Sequence, residues 1–209
     1  KNGAERISIN PQSMKAETLV KIGRQHTPDD IRSAYESARK IGFQTINMDL
    51  IAGLPEEEES DFINTLQEIL RMKPENITVH TLAVKRASRL RTLDEDYNYH
   101  QGKKVGAMLA AGAFLLKEAG YRPYYLYRQK QMTGNFENVG YTLPGYESLY
   151  NVRVMEEDQS VIALGAGGIS KIRYPAENRL ERIPNVSNYE IYIEKIDEMI
   201  ERKREGIFK

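Results

Sequence analysis

Asp49 stands in the run Asn47-Met48-Asp49-Leu50-Ile51, a carboxylate among apolar neighbours. Such a group is costly to take out of water unless it is paired or holds a ligand. At the end of a strand a carboxylate can accept both hydroxyls of a ribose diol, as acids do in dinucleotide sites. It can equally cap the loop that follows. Gln12 carries a donor and an acceptor that suit the same diol, or an ordinary turn. Arg24, in Gly23-Arg24-Gln25-His26, precedes a helix start; its guanidinium can fork onto a ligand carboxylate or lie in solvent. The tyrosines of Tyr121-Arg122-Pro123-Tyr124-Tyr125-Leu126-Tyr127 suit a flat aromatic ligand, or strand packing.

Other chemistries find no support in the residue pattern. His26, His80 and His100 lack metal-ligand spacing, and the chain has no cysteine, so no metal site is expected. There is no Gly-x-Ser-x-Gly elbow. Gly165-Ala166-Gly167-Gly168 lacks the order of a dinucleotide loop and reads as a bend needing positive φ. No single catalytic residue is assigned. The chemistry the pattern favours is recognition of a nucleotide-like ligand.

The elements that must position these residues follow from periodicity. Arg6–Asn10 reads as a strand stopped by Pro11. Thr27-Pro28-Asp29-Asp30 is a helix start with a capping box, and Ile31, Ala34, Tyr35, Ala38 and Ile41 recur at helical spacing before Gly42. Thr45–Ile51 is a buried strand, Gly53-Leu54-Pro55 a loop, and Glu56–Glu59 place four acids where a helix dipole favours them. Phe62, Ile63, Leu66, Ile69 and Leu70 mark the next helix face, and Ile77–Leu82 the third strand. Short β-α-β-α-β connections make the strands parallel. An edge would stay open beside the first, as if a barrel or larger sheet had lost its first strands or a partner covered them. Beyond this half come a long helix over 97–119, a strand over 124–128, a loop over 131–150, an antiparallel hairpin of 152–155 with 161–164, a strand over 170–174, and a final helix from Ser187 or Asn188 to about Arg204. In parallel α/β folds ligands bind at the C-terminal strand ends. Here those are Pro11-Gln12-Ser13, Asp49 through Pro55, and His80 through Ala83.

Thirty basic and thirty acidic side chains cancel, which leaves no broad footprint for nucleic acid or an anionic membrane. The local basic cluster Lys85, Arg86, Arg89 and Arg91 reads as solvated surface. The absence of cysteine, signal peptide and long apolar run makes a cytoplasmic protein the expectation.

The ordered segments Arg6–Ser13, Gly23–His26 and Asn47–Pro55, the last with Asp-Leu-Ile-x-Gly-Leu-Pro, resemble the second half of the radical S-adenosylmethionine barrel in the oxygen-independent coproporphyrinogen III oxidase family. Tyr125–Lys130, Gly134–Tyr141 and Leu164–Ser170 agree with the branch called coproporphyrinogen dehydrogenase. The resemblance implies an α/β fold: the second half of an incomplete TIM-like barrel over 1–93, then an α+β extension with antiparallel strands over 94–209. It implies S-adenosylmethionine as cofactor, with Gln12 and Asp49 on the ribose hydroxyls, Arg24 facing the methionine portion, and His80 and Ala83 beside the adenine, although His80 replaces a more usual apolar or aromatic residue. It implies a porphyrinogen substrate, whose two propionates become vinyl groups by way of a 5′-deoxyadenosyl radical. A 4Fe–4S cluster belongs to that chemistry, and its three thiolate ligands lie outside this chain. The chain as given is therefore expected to be a catalytically inert fragment that needs a missing N-terminal half-barrel. Two other readings are a haem or porphyrin carrier related to these oxidases, and a cluster-free nucleotide-binding module.

Overall fold

The structure, a computed structural model, describes residues 3–83, 101–128 and 132–207. The chain forms two compact units, Lys1–Glu147 and Ser148–Lys209. The expected division at 93/94 lies outside the described residues, as do the basic cluster Lys85–Arg91 and His100.

The first unit is built on β1 (Arg6–Gln12), α1 (Ala16–Lys21), α2 (Pro28–Ile41), β2 (Thr45–Ala52), α3 (Glu59–Met72) and β3 (Asn76–Thr81). These are followed by α4 (Gly102–Glu118), β4 (Arg122–Tyr127) and β5 (Asn138–Thr142). β1, β2 and β3 are parallel, as their short helical crossovers require. α2 starts with the capping box expected of Thr27 and Asp30: each side chain accepts the other's backbone N–H. It ends at Gly42 in the left-handed conformation, and the N–H of Phe43 returns to the Ala38 carbonyl.

The five strands lie in the order β1-β2-β3-β5-β4, so β5 covers the far edge of β3 with an antiparallel ladder. This corrects the expected loop over 131–150. The segment Asn138–Thr142 mixes the strand formers Val139, Tyr141 and Thr142 with the loop-like Asn138 and Gly140. It pairs because a Cβ on Gly140 would sit 1.8 Å from the Tyr125 ring, so only glycine lets that ring lie across β5. The near edge, β1, has no strand partner among the described residues.

Alternation splits the sheet into two faces. Ile7 and Ile9 on β1, Ile46, Met48 and Leu50 on β2, and Ile77 and Val79 on β3 share the face covered by α2, α3 and α4. The core there is dry: Ile46, Met48, Leu50, Leu66, Ile69, Ile77, Met108 and Leu116 are each 0% exposed. Gly53, at φ 87 after β2, fits beneath α4, where any Cβ would meet Val105 at 2.7 Å. The opposite face presents Ser8, Asn47, Asp49, Thr78, His80, Tyr125 and Tyr127. A parallel sheet is normally apolar on both faces, so this row of polar groups calls for another account.

The second unit holds α5 (Leu149–Glu156), a two-stranded antiparallel sheet of β6 (Ile169–Tyr174) and β7 (Arg179–Pro184), then α6 (Tyr189–Glu194) and α7 (Ile196–Ile207). The hairpin expected of 152–155 with 161–164 is not formed. Residues 149–156 are helical, and Val161 makes one isolated bridge to Lys171. The hairpin partner of β6 is β7, closed by a tight turn through Pro175–Glu177 with Asn178 at φ 48. The last helix begins at the expected cap, where Asn188 accepts the N–H of Ile191, and it breaks at Lys195. Gly165 and Gly167 take positive φ. The Gly165 carbonyl accepts from Asn185 at 2.7 Å, so the glycine-rich stretch is a bend tied into its own unit.

Candidate functional site

β1 ends irregularly. Between Ile9 and Gln12 the register slips, which sets Gln12 opposite Leu50, one residue beyond Asp49. Gln12 adopts φ 67, a left-handed conformation unusual for a side chain of its size. It is 8% exposed, and its Oε1 is the one buried side-chain polar atom without a hydrogen-bond partner among the described residues. Buried acceptors are almost always satisfied, so an orphan at a strand end is a place where a ligand donor fits.

Asp49 is held from two sides. Asn47 donates to its Oδ1 at 2.7 Å, and the His80 ring nitrogen Nε2 lies 3.7 Å from its Oδ2. Its side chain stays 20% exposed, open enough to receive a ligand. Asn47 in turn donates to Ser8 and accepts from Thr78 at 3.1 Å, and the Thr78 hydroxyl meets the Tyr125 hydroxyl at 3.2 Å. Burial, partly offset by the Thr78 hydrogen bond, pushes the Tyr125 phenol up to about 12, so it keeps its proton at neutral pH. Tyr127 reaches His80 Nδ1 at 3.3 Å and stacks parallel to Tyr125 with centroids 6.3 Å apart. The tyrosine-rich strand thus does line a polar face, in a continuous network from Ser8 to Tyr127.

Sequence reasoning and structure meet unevenly across the five candidate residues. His80 lies beside Asp49, while Gln12 ends β1 opposite Leu50, the residue after Asp49. Ala83 follows β3 and bridges Met132 through its backbone. Arg24 lies in the α1–α2 loop, exposed, with no side-chain hydrogen bond or ion pair among the described residues. That loop approaches the end of β1, since His26 Nε2 lies 3.4 Å from the Pro11 carbonyl oxygen.

One residue of the site carried no distinguishing sequence signal. Of the four acids after the Gly53-Leu54-Pro55 turn, Glu57 alone is buried, at 1% exposure, and it accepts a 2.5 Å hydrogen bond from Ser13 Oγ. Burial pushes its carboxyl above the ordinary range, against the opposing pull of hydrogen bonds from Ser13 and Thr18.

A ribose diol offers two O–H donors, which suit an orphan amide oxygen on Gln12 and a partly exposed carboxylate on Asp49. An iron–sulfur cluster does not suit it, because the chain has no thiolate, and no group of three or more metal-binding side chains exists among the described residues. No helix among the described residues is long and apolar enough to cross a membrane.

Three parallel strands joined by helical crossovers, extended by two antiparallel strands, define an α/β protein with a mixed sheet. The Radical SAM superfamily profile matches residues 1–69. Over 199 residues the chain is 43% identical to the oxygen-independent coproporphyrinogen-III oxidase-like protein HemZ of Bacillus subtilis, covering 95% of this chain and 40% of that protein. It is 27% identical to the heme chaperone HemW of Escherichia coli, over 83% of this chain and 42% of that one. In fold it resembles the radical SAM enzyme coproporphyrinogen III oxidase HemN of Escherichia coli, with a TM-score of 0.63 at 19% identity, covering 94% of this chain and 44% of that one. Residues 1–69 thus carry the radical SAM superfamily profile, and the chain is similar in sequence to the oxygen-independent coproporphyrinogen III oxidase-like proteins. It spans about two-fifths of the length of these curated relatives.

Proposed function

We propose that this chain supplies the nucleoside-holding half of an oxygen-independent coproporphyrinogen III oxidase, a radical S-adenosylmethionine oxidoreductase of haem biosynthesis. Residues 1–93 belong to the barrel and 94–209 to the extension, and an N-terminal half-barrel carrying the cluster-binding thiolates completes the enzyme. The observation that carries this reading is the orphan Oε1 of Gln12, one register position from Asp49. When bound, S-adenosylmethionine supplies the hydrogen-abstracting radical of the reaction. The chain's own residues bind and orient it: Gln12 and Asp49 accept from the ribose hydroxyls, Arg24 faces the methionine carboxylate, and His80 and Ala83 border the adenine. Tyr125 and Tyr127, on the polar face beyond them, offer rings that border the flat porphyrinogen.

A second reading, a haem carrier, draws on the His80–Tyr127 pair on that face and on the similarity to HemW. Anaerobic incubation of the full-length gene product with coproporphyrinogen III separates the two. The oxidase reading expects protoporphyrinogen formation that requires S-adenosylmethionine. Stoichiometric haem binding without turnover would replace it with the carrier reading.

A further inference from the structure

The four acids Glu56–Glu59 look alike in sequence, yet only Glu57 turns inward. It lies in the loop after β2, eight residues beyond Asp49, and it reaches across to the segment after β1. Ser13 Oγ donates to it at 2.5 Å, and Thr18 adds a second hydrogen bond. Ser13 Oγ also accepts the Lys15 N–H at 3.1 Å, and Thr65 Oγ1 accepts the Met14 N–H at 3.0 Å. The Ser13 hydroxyl and the Met14 and Lys15 N–H groups are thereby tied down immediately after Gln12, the residue with the left-handed backbone and the unpartnered amide oxygen. Holding a non-glycine residue at positive φ needs surroundings that over-determine it, and this buried cluster does so.

We propose that Glu57 is a positioning residue: by clamping Ser13 it fixes the turn that aims the Gln12 amide at the ligand ribose. This rests on the reading of Gln12 and Asp49 as the ribose site. The carboxyl must act as an acceptor that tolerates burial, and its neutral form does so at least cost. The charged groups facing it are Lys15 and Asp61, which are paired with each other at 2.9 Å. An amide in its place keeps the acceptor and removes the titration; an apolar side chain removes the clamp.

The test is calorimetric titration of the full-length gene product with S-adenosylhomocysteine, which carries the ribose without redox chemistry. Glu57→Gln is expected to bind within about 3-fold of wild type, and Glu57→Leu and Ser13→Ala to bind on the order of 10-fold more weakly. If Glu57→Leu does not fold, the loss in Ser13→Ala and its absence in the conservative Glu57→Gln decide. Unchanged affinity in Ser13→Ala, or affinity in Glu57→Gln as weak as in Ser13→Ala, would overturn the proposal. Asp49→Ala is the control: if it binds as wild type does, the ribose-site reading fails; if it alone weakens binding, only the role of Glu57 fails.

Discussion

The two faces of the five-stranded sheet use the same strands for opposite ends. Along β2, Ile46, Met48 and Leu50 point into a core from which solvent is fully excluded, while Asn47 and Asp49 between them point into a hydrogen-bonded network that stays partly open. The period of 2 in a strand makes this division sharp, because neighbours one residue apart can never share a face. The dry face needs volume and shape. The polar face needs particular atoms at particular places, as in the Asn47–Asp49 and Asn47–Thr78 hydrogen bonds. Stability is thus concentrated on one side and recognition on the other.

Substitutions on each side should move different observables. The largest effect belongs to the dry face. Phe62, 1% exposed beneath α4, should lose about 3–5 kcal/mol of stability as Phe62→Ala, read by chemical denaturation, with ligand affinity unchanged in the fraction that remains folded. Asp49→Asn should do the reverse. Loss of a charged hydrogen bond worth about 1.5–3 kcal/mol lowers nucleoside affinity on the order of 10- to 100-fold, while the denaturation midpoint barely moves. A large stability loss in Asp49→Asn would break the comparison. Thr27→Ala removes the α2 cap, away from both faces, and should cost about 1 kcal/mol without altering affinity.

The smallest effect is in pH. Glu57 has a folded-state value raised above its ordinary 4.5, so the folded protein holds that proton more tightly than the unfolded chain does. Its contribution to stability is complete below about 4.5 and lost as pH rises through the raised value. Asp61, lowered by the Glu58 backbone N–H and by Lys15, has the opposite sign: its contribution is present above 3.8 and lost as pH falls through its folded value. Denaturation across pH 4–8 should therefore show a downward slope for wild type that is shallower in Glu57→Gln.

Much of this arrangement was legible in the sequence, and the rest was hidden for identifiable reasons. The β1–α2–β2–α3–β3 order follows from local signals: the Thr27–Asp30 box, the helical spacing from Ile31 to Ile41, and Gly42. β5 was not legible, because Asn138 and Gly140 look like loop residues until Tyr125 covers the glycine and Asn138 Oδ1 accepts the Thr81 N–H. Val152-Arg153-Val154-Met155 alternates like a strand but meets no partner ladder, and it forms helix α5 instead. Strand ends pointed to Gln12, Asp49 and His80, and of these the fold sets His80 beside Asp49. Glu57 escaped because its burial depends on Ser13, Thr18 and Thr65, none of which is its sequence neighbour.

The most direct measurement is a crystal structure of the full-length gene product with S-adenosylhomocysteine. The account predicts ribose hydroxyls within hydrogen-bond distance of Gln12 Oε1 and the Asp49 carboxylate. A nucleoside bound elsewhere, with Gln12 and Asp49 untouched, would contradict it.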